Sequence, residues 1–296
     1  MATVRCSVSS VERGEPLTGT ASRVDHWLLV EQDGPWGEAS VPATRLGGRL
    51  TAALASQART LGARLLMIRR PATGAPRTTT GRRVYVVDSR PGHEQVRTRV
   101  ATTDEELAEL PADGWERSEA PLFLVCAHGK HDACCAIRGR PLAAALAAAA
   151  PEQTWECSHV GGDRFAPNAL VLPAGLYYGR VPAERAAELV AATRAGRVVP
   201  EWLRGRSTSA PPVQAAQAHA RAVLGLDGVD DLRHIREEAG ADTWRVLLDG
   251  GAAGAVAVTV RRGRAPVAAR LTCRALDEKV APVWEPLRLE LLAPAA

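Results

Sequence analysis

The chain has 296 residues, 46% of them hydrophobic, enough to bury a sizeable core over about two domains. Its positive charge is almost wholly arginine, since Lys130 and Lys279 are the only lysines, and a net excess of +4 is a weak argument for nucleic acid. The densest basic stretch, Arg69 to Arg83, is broken by PATGAP and TTTG and reads as a solvated loop between strands.

The amino-terminal MATVRCSVSSVERGEP lacks the apolar stretch of a secretory signal, and the longest apolar run, PLAAALAAAAP, is too short to span a bilayer. A cytoplasmic protein without a membrane partner is therefore expected. In a reducing compartment, clustered cysteines serve as metal ligands or redox groups rather than as structural disulfides.

In chain order, DHWLLVEQ predicts a strand, Arg49 to Leu61 a helix, and ARLLMIRR and RRVYVVDSR two further strands, because short β-branched and apolar runs end at Gly and Pro. A short helix with Thr103 as its cap follows, and residues 1–115 read as an amino-terminal α/β region. LFLVC suits a buried strand, AHGKHDAC a loop, and GRPLAAALAAAA a helix with Pro141 near its first turn and Pro151 stopping it. TWECSH supplies a second strand, NALVLP and LYYGRV a hairpin, and PAERAAELVAATRAG a helix ending at Gly196. That order, β-α-β-β-α, describes a thioredoxin-like central layer over residues 116–204 within an α/β fold. A linker, RGRSTSAPP, leads to a small carboxy-terminal α+β unit, 205–296, with a helix from Val213 to Leu224 and strands DTWRVLLD, AVAVTVRR, AARLTCRA and LRLELL. Cys273 falls in the apolar alternation of the third strand and reads as a buried, inert thiol, while Cys6 has no assigned role. No short-period repeat is visible, and a degenerate copy of the central layer in the first half finds little support in the residues.

Four of the six cysteines lie between Cys126 and Cys157. VCAHGKHDACCAIRG holds Cys126, Cys134, Cys135, His128 and His131, and ECSHVGGD holds Cys157, His159 and Asp163. Both groups follow a predicted strand, and side chains leaving the ends of parallel strands converge in one crevice, where they can share an ion or a cluster. Gly161 and Gly162 have no side chains to block an approach, so their amides are open to donate to a group bound there.

These stretches, CAHGKHDACCAIRGRPLAAAL and WECSHVGGDRFAPNALVLPAGLYYGRV, with DHWLLVEQDGPWG and RGRSTSAPPVQAAQ, resemble the sucrase/ferredoxin-like family of thioredoxin-like 2Fe-2S ferredoxins. The resemblance implies a 2Fe-2S cluster held by a C-x8-C pair, here Cys126 and Cys135, and by a second pair that begins at His159. The family's HxGGH would place a histidine where this chain has Asp163, so the fourth ligand is open: Cys157 ranks first as a soft donor, Asp163 second, and a set using Cys134 third. The implied activity is electron transfer or redox sensing, with separate donor and acceptor proteins, because no G-x-G-x-x-G fingerprint offers a nicotinamide or flavin site.

Other chemistries compete for the same residues. Cys134 and Arg140 have the C-x5-R spacing of cysteine phosphatases, although in those enzymes the nucleophile directly ends a strand. A cluster-free binding module is a further alternative. Structural zinc lacks its usual C-x2-C signature, and no pair of carboxylates for sugar hydrolysis is recognisable, so a sucrase is not expected. His128 and His131 read as solvated loop histidines.

Overall fold

The computed structural model describes residues 4–38 and 46–292. Their elements run α1 (Cys6–Glu12), β1 (His26–Glu31), α2 (Gly47–Thr60), β2 (Ala63–Arg69), β3 (Arg82–Asp88), β4 (Gln95–Ala101), α3 (Asp104–Ala108), β5 (Glu116–Ser118), β6 (Leu122–Cys126), α4 (Ala133–Ala149), β7 (Thr154–Cys157), β8 (Asn168–Leu172), β9 (Leu176–Gly179), α5 (Ala186–Arg194), β10 (Leu203–Arg206), α6 (Pro211–Leu224), β11 (Arg233–Ala239), β12 (Thr243–Asp249), β13 (Ala255–Arg264) and β14 (Pro282–Leu292).

Ten strands form one mixed sheet in the order β10-β9-β8-β6-β7-β2-β1-β3-β4-β5, and four form a smaller antiparallel sheet, β11-β12-β13-β14. The large sheet repeats one connectivity. In the first half β1 crosses over through α2 to the parallel β2, while β3 and β4 add antiparallel on the other side of β1. In the second half β6 crosses over through α4 to the parallel β7, while β8 and β9 add antiparallel beside β6. The two halves meet where β2 pairs antiparallel with β7, Ile68 opposite Cys157 and Arg69 opposite Glu156. A repeat that is hardly visible in the residues is thus plain in the chain path.

Alternation along β6 decides what faces the site. Phe123 and Val125 pack into a core with α4 and α5, whereas Leu122, Leu124 and Cys126 point to the opposite face, with Trp27, Trp155 and Cys157. In the first half Leu50, Leu54 and Ala58, four residues apart on α2, form the stripe that covers Leu28, Val30 and Met67.

Several elements differ from the sequence expectation. Helix α4 starts at Ala133, not near Gly139, because the Asp132 carboxylate caps the Cys134 amide at 2.8 Å and opens the helix earlier. Pro141 therefore lies inside it, at the cost of one backbone hydrogen bond. Part of the expected linker is β10, an edge strand of the large sheet. The segment AARLTCRA is no strand: it makes one isolated bridge, Ala269 to Lys279, and turns at Cys273. The edge strand β11, exposed throughout, has charged residues where apolar alternation would have marked it. In this carboxy-terminal unit α6 packs Val213, Ala216 and Ala220 against Val246, Leu248, Val256 and Val258. No helix among the described residues is long and apolar enough to cross a membrane.

Candidate metal centre

Strands β6 and β7 are parallel and in register, so Cys126 and Cys157 end them side by side, and the Ala127 amide donates to the Cys157 carbonyl at 3.1 Å. The chain then turns through 127–132 and enters α4, whose first turn carries Cys135 back over the end of β6. The close approach demands a glycine further along the helix: a Cβ at Gly139 would lie 2.1 Å from the Cys126 carbonyl oxygen. After β7 the loop bends at Gly161 (φ 95°) and Gly162 (φ 80°) into a single 3-10 turn, Asp163–Phe165.

This path brings Cys126, Cys135 and His159 together, one donor atom from each lying within 4.8 Å of the others. A second, overlapping group joins His131, His159 and Asp163 within the same limit. Asp163 links the two: its Oδ1 accepts from the Cys135 thiol at 3.1 Å and lies 3.0 Å from His159 Nδ1. The His159 contact is a charge contact without hydrogen-bond alignment, so this buried nitrogen makes no directed bond. The His131 ring stacks on His159 with centroids 3.8 Å apart, and its Nε2 is 3.8 Å from Asp163 Oδ2.

The remaining candidates stand apart. The Cys157 thiol is fully buried on the same sheet face as Cys126 but belongs to neither donor group. His128 is buried and spent on the backbone, its Nδ1 accepting from the His159 amide at 3.3 Å and its Nε2 donating to the Gly37 carbonyl at 2.5 Å. Cys134 points away from Cys135, towards Cys6 and Cys273. The phosphatase arrangement is absent: Cys134 and Arg140 lie in one helix, the cysteine buried and the arginine exposed, with no strand-end loop between them to cradle a phosphate.

Charges within the group are tightly balanced. The adjacent Cys135 and His159 hold Cys126 well below the usual thiol range, against its complete burial, and Cys135 is pushed up in turn by the neighbouring Cys126, by burial and by Asp163. Burial, reinforced by the nearby charges of Cys126 and Glu156, pushes Cys157 up and leaves a neutral thiol. Burial opposes a charged His159, but the Asp163 carboxylate and Cys126 outweigh it and raise the imidazole to about 9.

Two arginines outside both cysteine motifs hold the loop. Arg64 donates to the carbonyls of His159 at 2.9 Å and Val160 at 3.2 Å. The buried Arg204 donates to the Gly161 carbonyl, to Asn168 Oδ1 and to the Thr20 carbonyl, and its guanidinium fills the space where a Cβ at Gly162 would stand, 2.5 Å from Nη2. Both sit in segments whose sequence reads as an ordinary strand and a linker, and an arginine in either gives no sign of reaching the loop.

A family model, sucrase/ferredoxin-like, matches residues 17–205, more than half of the chain. The chain belongs to the sucrase/ferredoxin-like family. The match takes in both halves of the large sheet and both cysteine and histidine turns. No curated protein and no solved structure matches the chain.

Proposed function

We propose that this family member is a cytoplasmic one-electron carrier or redox sensor that holds a 2Fe-2S cluster through Cys126, Cys135, His159 and Asp163, on a sheet whose second half is a thioredoxin-like layer. The observation that carries the reading is the convergence of Cys126, Cys135 and His159, delivered by a strand end, a helix start and the loop after β7, within 4.8 Å. The donor set fits such a group: soft thiolates beside a buried imidazole nitrogen that has no directed hydrogen bond of its own. Sequence alone ranks Cys157 ahead of Asp163 as the fourth ligand, whereas the 3.1 Å and 3.0 Å contacts of Asp163 favour the carboxylate.

When bound, the cluster supplies reversible one-electron exchange, and an imidazole in place of a thiolate raises its potential above the roughly −400 mV of plant-type ferredoxins. The chain's own residues position and tune the site. Cys126 and Cys135 supply negative charge, Arg64 and Arg204 fix the loop that presents His159, and the partly exposed His159 and His131 form the edge nearest to solvent. Separate donor and acceptor proteins would meet that edge.

Iron, acid-labile sulfide and electron paramagnetic resonance on anaerobically purified protein test the reading. About two irons and two sulfides per chain, with a reduced-state rhombic signal, are expected, and colourless protein without iron would overturn it in favour of a cluster-free module. Asp163→Ala should change the spectrum and lower iron occupancy while Cys157→Ser leaves both nearly intact. The reverse pattern would restore Cys157 as the ligand.

A further inference from the structure

A second set of sulfur donors lies on the other side of the α4 amino terminus. Cys6 opens α1, Cys134 is the second residue of α4, and Cys273 sits in a turn of the carboxy-terminal unit, 267 positions from Cys6. Their sulfurs form a compact triangle: Cys6 to Cys134 is 3.7 Å, Cys6 to Cys273 is 3.5 Å and Cys134 to Cys273 is 3.3 Å. Asp132 closes the group, its two oxygens 3.7 and 3.9 Å from the Cys6 sulfur. One donor atom from each of the four residues lies within 4.8 Å of all the others.

The dimensions select among chemistries. A tetrahedral zinc site with Zn–S bonds of about 2.3 Å has sulfur–sulfur edges of about 3.8 Å, close to the edges of this triangle. A disulfide, with sulfurs about 2.05 Å apart, would join two of the three and orphan the third. The charge balance points the same way. Asp132 is fully buried and forms no ion pair among the described residues, its oxygens accepting the Cys134 amide at 2.8 Å and the Cys273 amide at 2.6 Å. An uncompensated buried carboxylate among thiols is costly, and a divalent cation turns that mutual repulsion into ligation. Each carboxylate oxygen keeps a lone pair beyond its amide bond. The Ser7 hydroxyl donates to the Cys134 sulfur at 3.2 Å, the kind of outer contact that orients a thiolate ligand.

We infer that Cys6, Cys134, Cys273 and Asp132 form a closed tetrahedral Zn²⁺ site, separate from the proposed cluster, that fastens α1 and the carboxy-terminal unit to the start of α4. Four protein ligands leave no open position, which makes the site structural. Its purchase is on the residue beside Cys135, so the ion also holds the first turn of α4 over the end of β6. Arg274, next to Cys273, reinforces the closure by donating to the Lys130 carbonyl at 2.8 Å and to Glu38 at 3.0 Å. Sequence spacing could not show this site, because its ligands come from three segments with no C-x2-C pair among them.

Zinc and iron measured together on the full-length chain, with thiols counted after denaturation, test the inference. About one zinc per chain and six free thiols are expected. Cys273→Ser should lower zinc at least tenfold, and Cys126→Ser should leave the zinc in place. Cobalt titrated into zinc-stripped wild-type protein, which needs no variant to fold, should give the intense visible bands of a tetrahedral thiolate site. Zinc-free protein that binds no cobalt, zinc retained by Cys273→Ser, or a disulfide among the three cysteines would each overturn it. Zinc without iron would overturn only the cluster reading, and iron without zinc only this one.

Discussion

The two halves of the large sheet share a chain path and differ in what they place at their strand ends. At the end of β6 stands Cys126, facing Cys135 and His159, whereas at the end of the corresponding β1 stands Glu31. That carboxylate is buried and used up by structure, accepting from the Thr78 hydroxyl at 2.6 Å and the Arg83 amide at 3.0 Å. Likewise β7 ends in Cys157, while β2 ends in Arg69, whose guanidinium grips Glu156 across the seam at 2.6 and 2.8 Å. The same scaffold thus carries a donor cluster in one copy and hydrogen-bonded anchors in the other. Connectivity makes a crevice at the strand ends, and the residues placed there decide whether it holds chemistry.

Exchanging roles between the halves gives the largest contrast. Cys126→Ser should reduce iron per chain by more than tenfold, because a hydroxyl is a poor ligand for a sulfide-rich cluster. Glu31→Gln should leave iron unchanged and cost about 1–2 kcal/mol, since it weakens bonds to a charged acceptor. Iron analysis beside urea denaturation checks both. Iron loss in Glu31→Gln at full stability would break the contrast.

The two crossover helices offer the next. Gly139→Ala in α4 drives a methyl into the Cys126 carbonyl and should cost about 2 kcal/mol with partial loss of iron, even after the gain in helix propensity. Gly48→Ala in α2 meets nothing within 4 Å and should be neutral or stabilising by up to about 1 kcal/mol. Equal midpoints for the two variants would refute the close approach of α4 to β6.

A smaller, pH-dependent difference belongs to the second half alone. In metal-stripped protein His159 is raised to about 9, above the roughly 6.5 of an unfolded histidine. Its contribution is fully present below about 6.5 and is lost as pH rises through 9, a decline on the order of 3 kcal/mol. Denaturation midpoints between pH 6 and 10 should fall for the wild type and much less for His159→Gln. Because ligation needs the neutral imidazole, iron loading should improve over the same range.

The residues themselves determined most of the elements and marked the two turns from which the first donor group is drawn. Apolar runs such as LFLVC and HWLLVE mark strands that are buried whatever surrounds them, and the cysteine and histidine turns that follow LFLVC and TWEC lie beyond adjacent strand ends once β6 and β7 are side by side. Only the tertiary structure decided the rest: the doubling of one connectivity across the β2–β7 seam, the reach of Arg64 and Arg204 to the His159 loop, and the meeting of Cys6, Cys134 and Cys273. The physical reason is range. Helix and strand periodicities record which face of a segment is buried, within a few residues, but not which distant segment buries it. Cys273 carries the point, since the alternation around it predicted a strand, and the chain instead turns there, with its thiol against Cys6 and Cys134.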